Sequence, residues 1–428
     1  MANSPESIRS AIMSSDDEIV SLLSEMIEVP SPTGQEGEMA VWLKTWLESN
    51  NFDVESIEID RDEMLKECSG AFFPMQFPYE GRPNIVGTLK GKGEGPSLMI
   101  NFHLDVVDAS AGDWSVDPWK GTLKGDTLIG RGACDMKGGA AAALYAIKTI
   151  IDSGISLNGD LVVAGVIEEE GPGNGTIAVQ AAGVKADACI IPEPTELSLA
   201  VGVTGGIYGF VDIEGKTSHS TTPWNGVNAV EKAFHVQKGI EEWKRKRGEL
   251  ELSPLFADEP DVITASHIVN IIRTDSGLVG KIPASAKVMV RSTVLPGEDP
   301  RQMIEEFEKT ILAETVKDPW LAEHPPTFVW IRMDGRNYPA ELSEDHPLCC
   351  GMKQSFRKVT GKDPKLTALV SPADMQQLMN FDPKTPTLMF GPGSLLQAHT
   401  DDEFVPVQDL VQVSAVIADF IMEWCGIS

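Results

Sequence analysis

The chain has 428 residues, of which 42 % are apolar and 23 % charged, and 64 acidic against 35 basic residues give a formal net charge of −29. This length exceeds one ordinary hydrophobic core and predicts two domains of globular composition. The acidic balance disfavours nucleic acids and anionic membranes as partners, and no run of 18 apolar residues predicts a membrane-spanning helix.

The N-terminal segment and the cysteines indicate where the protein resides. Residues 1–17 are polar, with scattered charges and no apolar core of a signal peptide. The six cysteines are dispersed without a CxxC pair, so neither a disulfide framework nor a structural zinc site is predicted. We therefore expect a cytoplasmic protein with reduced cysteines.

The N-terminal part of the chain predicts two helices followed by short strands. Apolar residues recur at helical spacing in EIVSLLSEMIEV and EMAVWLKTWLES, and Thr33 and Glu36 between them have the spacing of a capping box. The strands FDVESIEI, NIVGTLKG and SLMINFHLDVV follow. We interpret KGKGEGP, between the last two, as a hairpin turn because it lacks the GK[ST] ending of a phosphate-binding loop.

The next stretch alternates helices with apolar strands that end in acids. CDMKGGAAAALYAIKTII is a small-residue loop leading into a buried helix, and LVVAGVIEEE and DACIIPEP are apolar runs with terminal carboxylates. This alternation predicts a buried, largely parallel α/β sheet. Acids at the carboxyl ends of such strands lie at the edge where active sites of α/β proteins usually form.

From residue 203 the pattern changes to half-exposed strands and charged helices. GIYGFVDIEGKTSHS, AKVMVRSTVLP and PTFVWIRM read as strands, with VNAVEKAFHVQKGIEEWKRKR and PRQMIEEFEKTILAE as helices between them. We expect an α+β domain over 203–333 inserted into a discontinuous α/β domain made of 1–202 and 334–428.

Several potential metal ligands follow predicted strands or lie in glycine-rich loops. His103 closes SLMINFHLD, and Asp105, two residues on, lies on the same face and can orient the imidazole ring. The others are Asp135 in GRGACDMKGG, the run Glu168-Glu169-Glu170, Glu193 in IIPEPT and His399 in GPGSLLQAHTDDE. Two imidazoles with several carboxylates suit zinc or a similar divalent ion, and the lack of a thiolate favours a catalytic over a structural site.

In order and context, HLD, GRGACDMKGG, EEEG, PEP and AHTDDE resemble the motifs of the dinuclear zinc peptidase family M20, over about residues 17–419. That family includes acetylornithine deacetylase, succinyl-diaminopimelate desuccinylase, aminoacylase and carboxypeptidase G. The resemblance implies a phosphorylase/hydrolase-like catalytic domain with a mixed, mostly parallel sheet. It also implies an inserted ferredoxin-like α+β domain that serves as lid and dimerisation domain.

The resemblance also implies roles for the candidate residues. His103 and Glu193 would hold one zinc ion, Glu170 and His399 the other, and Asp135 would bridge them, while Asp105 orients His103. Glu169 would be the general base. Family members usually read Asp-Glu-Glu where this chain has Glu168-Glu169-Glu170.

In the inserted domain, His219 matches the family's lid histidine, which stabilises an oxyanion in the partner subunit's site. Arg291 matches a substrate-contacting arginine, with a surface salt bridge as the alternative. Relatives often carry an Asn shortly before the lid's Ile-Pro, where this chain has Gly280-Lys281. Asn270 is a candidate replacement or a plain strand-edge residue. Gly391 and Gly393 are candidates for presenting backbone amides to the substrate, or part of an ordinary turn.

The resemblance predicts an enzyme that hydrolyses the amide bond of an N-acyl amino acid or related small compound, with acetylornithine-like substrates leading. Two Zn²⁺ per subunit are expected, with Co²⁺ or Mn²⁺ as alternatives, in a homodimer. A dipeptidase, a carboxypeptidase and a desuccinylase of the same family remain open, as does a non-catalytic binding relative. A nucleotide-binding oxidoreductase is disfavoured because no GxGxxG follows a predicted strand.

Overall fold

The computed structural model describes residues 4–68, 70–109, 112–275, 280–331 and 337–428. The chain folds as two units. One comprises Met1–Gly202, Glu341–Leu369 and Ala373–Ser428, and the other Val203–Ala340 with Val370–Pro372. The second unit runs from Val203 to Ala340, whereas the sequence led us to expect a domain over 203–333, whose end lies outside the described residues. Within the described ranges, no helix is both long and apolar enough to cross a bilayer.

The described helices of the first unit are amphipathic or largely buried. They are α1 Pro5–Ile12, α2 Asp16–Ile27, α3 Gly37–Ser49, α4 Arg61–Glu67, α5 Lys137–Asp152 and α6 Asn174–Ala181, and, after the second unit, α10 Pro347–Thr360, α11 Met375–Asn380 and α12 Val407–Cys425. α12 packs on α5, and most side chains of both helices are buried, so this pair covers much of the apolar core.

The strands of the first unit form a large mixed sheet and a small one. The large sheet holds β1 Asp53–Ile57, β2 Asn84–Leu89, β3 Leu98–His103, β6 Leu161–Val166, β7 Ala188–Ile191, β8 Leu199–Val203, β13 Ala340–Glu341, β14 Leu366–Leu369 and β15 Thr387–Met389. The small sheet holds β4 Thr122–Lys124, β5 Thr127–Ile129 and β16 Phe404–Pro406.

The order along the large sheet is β1-β2-β6-β3-β7-β15-β8-β13, with β14 also paired to β8. The central strands β6, β3, β7 and β15 are mutually parallel, and antiparallel pairings flank them on both sides. The mixed sheet expected from the sequence is therefore confirmed, with its parallel part in the centre. Because parallel strands end at one edge, the residues after β3, β6, β7 and β15 meet there.

Two local expectations were wrong. β2 and β3 do not form a hairpin, because β6 lies between them in the sheet. Thr33 and Glu36 do not form a capping box either, because Glu36 is itself the N-cap residue of α3 and makes no side-chain cap hydrogen bond. Instead, the Thr33 hydroxyl donates to Asp105 and the Glu36 carboxylate pairs with Arg82.

The second unit is an α+β domain of alternating strands and helices. Its elements are β9 Gly205–Glu214, α7 Ala229–Arg247, β10 Ser266–Thr274, β11 Ser285–Val294, α8 Pro300–Thr315, α9 Pro319–Glu323 and β12 Thr327–Ile331, with short 3₁₀ turns at Pro223–Asn225, Pro254–Phe256 and Pro260–Thr264. The four strands are antiparallel in the order β10-β11-β9-β12. This is the ferredoxin-like arrangement, and alternate residues of β9 and β11 pack into a common core with α7 and α8.

Candidate metal centre

His103 is the last residue of the buried strand β3 and lies at the acidic edge of the large sheet. Its Nδ1 lies 2.7 Å from the backbone carbonyl oxygen of Asp105, and its Nε2 lies 3.0 Å from Oδ1 of Asp135. A carbonyl oxygen can only accept, so Nδ1 carries a proton, and in the neutral ring Nε2 is the atom that can bind a metal.

Asp135 lies between the two histidines. Its Oδ1 faces Nε2 of His103, and its Oδ2 lies 3.3 Å from Nε2 of His399. Each oxygen therefore faces a different imidazole, as a bridging carboxylate requires. Burial raises the pKa of Asp135, but the hydrogen bonds to His103 and His399 outweigh burial and hold the pKa below its usual range.

The remaining carboxylates of the cluster come from the turns after β6 and β7. Oε2 of Glu170 lies 2.9 Å from Nε2 of His399, and Oε1 of Glu193 lies 4.0 Å from Nε2 of His103. Donor atoms of His103, Asp135 and Glu170 all lie within 4.8 Å of one another, as do those of His103, Glu169 and Glu193. The structure therefore brings together every residue that the sequence suggested as a metal ligand.

The electrostatics of this cluster fit a cation. Burial raises the pKa of Glu193 well above its usual value and that of Glu170 to about 7, and the charge of Asp135 adds to both shifts. Contacts with Asp135 and Glu170 raise the pKa of His399 to about 10. Buried carboxylates shift in this way when positive charge is insufficient. Within the described part of the chain, the ion-pair partners of Asp135, Glu170 and Glu193 are histidines only.

The separations between donor atoms lie on either side of those expected around a metal ion. Zinc binds imidazole nitrogen and carboxylate oxygen at about 2.0–2.2 Å, so two ligands of one tetrahedral ion lie roughly 3.3–3.6 Å apart. The four donor pairs described above are separated by 2.9–4.0 Å. The mixed nitrogen and oxygen donors suit zinc, cobalt or manganese.

Asp105 contacts the His103 ring through its backbone carbonyl and not through its carboxylate, as the sequence had suggested. Its backbone carbonyl binds the His103 ring, whereas its carboxylate Oδ1 lies 3.8 Å from Nδ1 of His103. The carboxylate accepts hydrogen bonds from the backbone amides of Glu169 and Glu170 at 3.1 Å each and from the Thr33 hydroxyl at 3.0 Å. Asp105 therefore holds both His103 and the acidic turn, residues 168–170, through different atoms.

Glu168, where relatives usually have Asp, belongs to a second buried cluster. Its carboxylate accepts hydrogen bonds from Arg82 at 2.7 and 3.2 Å, from Asn174 at 2.8 Å and from Tyr79 at 3.2 Å. Nε of Arg82 also lies 2.9 Å from Oε2 of Glu36, although these two atoms are not aligned for a hydrogen bond. Glu168 is thus neutralised within the protein and is oriented away from a ligand role.

Glu403 is a residue that the sequence analysis did not single out. Its buried Oε1 accepts the backbone amides of Cys134 and Asp135 at 2.8 and 2.9 Å, and its Oε2 pairs with Arg131 at 2.7 Å. Glu403 therefore holds the loop that carries Asp135. It is the last letter of AHTDDE, so that motif contains both a candidate ligand and a support for another one.

The backbone amides of Gly391 and Gly393 both donate within the protein, which favours the ordinary turn over presentation to a substrate. The Gly391 amide donates to Thr195 at 3.1 Å, and the Gly393 amide donates to Asp409 at 3.3 Å. A Cβ at Gly391 would lie 2.4 Å from backbone oxygens of Pro192 and Glu193. Close packing against the turn that carries Glu193 thus explains why residue 391 is glycine. Residue 393 is glycine because its backbone has a positive φ of 73°.

The remaining candidates lie in the second unit. His219 is exposed, and its Nδ1 accepts the Thr221 amide at 3.3 Å. Arg291 on β11 donates to the Tyr208 hydroxyl at 3.0 Å and to the Thr293 hydroxyl at 3.1 Å, and no described carboxylate forms the salt bridge considered as its alternative. Asn270 is exposed on β10, beside an irregularity in the register with β11.

Comparisons with known proteins show the family to which the chain belongs. A model of peptidase family M20/M25/M40 matches residues 99–423. An N-formyl-4-amino-5-aminomethyl-2-methylpyrimidine deformylase of Bacillus subtilis (strain 168) is 29 % identical, covering 98 % of this chain and 97 % of its own. The enzyme of the same name from Halalkalibacterium halodurans is 31 % identical over 81 % and 84 %. An acetylornithine deacetylase of Vibrio parahaemolyticus is 28 % identical over 90 % of each chain.

A solved structure shows the same fold. A tripeptidase from Staphylococcus aureus subsp. aureus Mu50 aligns with a TM-score of 0.73 at 18 % identity, covering 96 % of this chain and 99 % of its own. The family match covers most of the chain and includes every candidate metal ligand. The chain therefore belongs to peptidase family M20/M25/M40 and is a metal-dependent amidohydrolase.

Proposed function

We propose that the protein binds two Zn²⁺ ions and removes a short acyl group, with formyl first, from the nitrogen of a small amine. The observation that carries this proposal is the arrangement of His103, Asp135 and His399, in which each oxygen of one buried carboxylate faces a different imidazole. His103 with Glu193 would hold one ion and His399 with Glu170 the other, and Asp135 would bridge them. The same donors accept Co²⁺ or Mn²⁺.

Glu169 is the proposed general base. Its turn is fixed by the hydrogen bond from its amide to Asp105, and its carboxylate lies within 4.8 Å of donor atoms of His103 and Glu193. Two cations bound by these residues would supply Lewis-acid chemistry, which lowers the pKa of a water molecule and polarises an amide carbonyl. Glu169 takes a proton from the attacking water and returns it to the nitrogen as the carbon–nitrogen bond breaks, so the products are a carboxylic acid and an amine.

The comparisons support a different leading substrate from the one that the motifs suggested. The motifs led towards acetylornithine-like N-acyl amino acids, but the relatives that align over most of the chain at 29 % and 31 % identity are named as deformylases of an aminomethylpyrimidine. We therefore place an N-formyl amine first and an N-acyl amino acid second.

His219 and Arg291 are proposed to act on the substrate from the second unit. The Thr221 amide donates to Nδ1 of His219, so in the neutral ring Nε2 carries the proton and can stabilise an oxyanion. Arg291, whose described hydrogen-bond acceptors are neutral hydroxyls, would bind a polar substrate group. We propose that a homodimer formed through the second unit brings His219 to the partner's site. His219→Ala should then keep the metal content and lower turnover about 100-fold.

The test is amine release from a panel of amides by the zinc-loaded protein, with and without chelator. The panel holds N-formyl-4-amino-5-aminomethyl-2-methylpyrimidine, N-acetylornithine, N-succinyl-diaminopimelate and a dipeptide. We expect chelator-sensitive release, fastest from the formyl compound. Glu169→Gln should retain both metals and lose about 10²–10⁴-fold in kcat, whereas Glu55→Gln, on the exposed face of β1, should match the parent. Turnover by Glu169→Gln at the parental rate would refute the general-base assignment.

A further inference from the structure

An aromatic segment, residues 73–77 (Phe-Pro-Met-Gln-Phe), lies in the first unit between α4 and β2, and three of its five residues are exposed. Phe73 and Phe77 are 41 % and 42 % exposed, and Met75 is half-buried. The flanking rings of Phe72 and Tyr79 are buried. Exposed aromatic side chains grouped in one loop indicate a surface that binds an apolar ligand.

The backbone of segment 73–77 is held in place, so this exposure belongs to an ordered loop. The Asn174 side chain accepts the Phe73 amide at 3.1 Å and donates to the Phe73 carbonyl at 2.9 Å. The Tyr79 hydroxyl accepts the Met75 amide at 3.2 Å. Ordered aromatic residues lose little conformational freedom when a ligand covers them.

The side chains that hold this segment also hold the acidic turn. Asn174 and the Tyr79 hydroxyl both donate to Oε2 of Glu168, at 2.8 and 3.2 Å. Glu168 immediately precedes Glu169. One carboxylate therefore connects segment 73–77 to the turn that carries the proposed base.

Segment 73–77 packs against two glycines in the loops next to the metal centre. Cε of Met75 lies 3.4 Å from the position of a Cβ on Gly171, the residue after Glu170. The ring of Phe77 covers Gly34, where a Cβ would lie only 2.6 Å from Cγ. Gly34 follows Thr33, whose hydroxyl donates to Asp105. Met75 and Phe77 therefore pack on the two loops whose neighbouring residues position the acidic turn.

We propose that Met75 and Phe77, together with Phe73, form the wall of the active site that binds an uncharged planar ring next to the scissile amide. This inference rests on the proposed amide hydrolysis at the neighbouring metal centre. Phenyl rings stack on planar groups, and a thioether sulfur makes favourable contacts with ring edges. Segment 73–77 contains no charged side chain, so a neutral ring is favoured over a charged side chain of an amino acid.

The test measures binding separately from turnover. Zinc-loaded protein carrying Glu169→Gln is titrated by calorimetry with N-benzylformamide and N-methylformamide, which share the amide and differ in the ring. We expect at least about tenfold tighter binding of the benzyl compound, and Met75→Ala and Phe77→Ala should each remove most of that preference without changing affinity for the methyl compound. Met75→Leu, which keeps apolar surface, and Val41→Ala, an exposed apolar position on α3, should leave the preference intact.

The possible outcomes separate this inference from the proposed function. No preference for the ring, or a preference that survives both alanine variants, would overturn the inference whatever the enzyme hydrolyses. A ring preference lost in both variants would support it even if the parent protein released no amine from the panel above. In that case the proposed function would fail while the ring-binding wall remained.

Discussion

Two buried acidic clusters lie next to each other in the first unit and differ in their source of positive charge. The arginine cluster consists of Glu36, Arg82 and Glu168, and the protein itself supplies its cation. The metal-site cluster consists of His103, Asp135, Glu170, Glu193 and His399. In the described structure, the ion-pair partners of its three carboxylates are the two imidazoles. Buried carboxylates alone therefore do not reveal a metal site, and the presence or absence of an internal arginine distinguishes the two roles.

The connection between the clusters is Asp105. Its carboxylate accepts the amides of Glu169 and Glu170, and its charge adds to burial in raising the pKa of Glu36 to about 7, although Arg82 opposes the shift. The arginine cluster thus supports the turn whose next two residues are the proposed base and a proposed ligand. The following predictions probe this division of roles, beginning with the largest expected effect.

Asp135→Asn should weaken zinc binding at the metal-site cluster and nearly abolish amide hydrolysis. An amide cannot bridge two cations as a carboxylate does, so we expect loss of at least one zinc ion per chain and a fall in kcat/KM of roughly 10³-fold or more. Metal analysis after dialysis and amine-release kinetics measure the two effects. A variant with two tightly bound zinc ions and parental kinetics would show that Asp135 does not bridge.

Arg82→Met should destabilise the fold and leave metal binding in the folded protein largely intact. Removing the cation leaves Glu36 and Glu168 buried without their partner, which costs about 3–5 kcal/mol of the free energy of unfolding. Urea denaturation of the zinc-loaded protein measures this loss. Glu168→Gln in the same background should recover part of it.

The matched control for Arg82 is Arg245→Met. Arg245, on the exposed surface of α7, pairs with Glu242 of the same helix and with Glu249 just after it, so its removal should not change the denaturation midpoint measurably. A similar response of Arg82→Met and Arg245→Met would contradict the role of Arg82 as an internal cation.

Glu403→Ala should weaken zinc binding by about 10–100-fold, because the amides of Cys134 and Asp135 lose their common acceptor and the Asp135 loop is no longer held. Competition with a chromophoric chelator gives the affinity. Asp401→Ala is the matched control, since that carboxylate accepts the Asp113 amide and contacts no proposed ligand in the described structure. Equal zinc affinities of the two variants would remove the positioning role.

The smallest expected effect concerns pH. The pKa of Glu36 is raised from its usual value of 4.5 to about 7, so between these pH values the folded state binds more protons than the unfolded state, and stability from this group falls as pH rises. Melting temperatures of the zinc-loaded parent should therefore decline from about pH 5 to pH 7.5 more steeply than those of Glu36→Gln. Parallel profiles would show that Glu36 does not contribute.

Local sequence patterns suggested part of the candidate metal site for a physical reason. A strand places its terminal residues at the sheet edge, so His103 after β3, Glu170 after β6 and Glu193 after β7 could be expected to meet once a parallel centre was assumed. The change of periodicity near residue 203 likewise indicated a second unit, because half-exposed strands alternate with period two and buried parallel strands do not.

Sequence patterns failed where a contact joins distant segments. Thr33 and Glu36 had the spacing of a capping box, but Thr33 binds Asp105 and Glu36 pairs with Arg82, because tertiary partners outcompete a local cap. The hairpin expected between β2 and β3 failed because β6, which comes later in the chain, lies between them. Gly391 and Gly393 were candidates either for presenting amides to the substrate or for an ordinary turn, and their amides donate to Thr195 and Asp409.

The sequence by itself determined the fold class, through its periodicity and its resemblance to family M20, and it suggested the candidate donor residues, some at strand ends and others in glycine-rich loops. The tertiary structure decided which carboxylates remain without an internal cation. Glu168 and Glu170 lie two positions apart in one acidic run, yet one contacts Arg82 and the other contacts His399. Only packing of segments far apart in the chain places an arginine beside the first and an imidazole beside the second, and no local pattern encodes that choice.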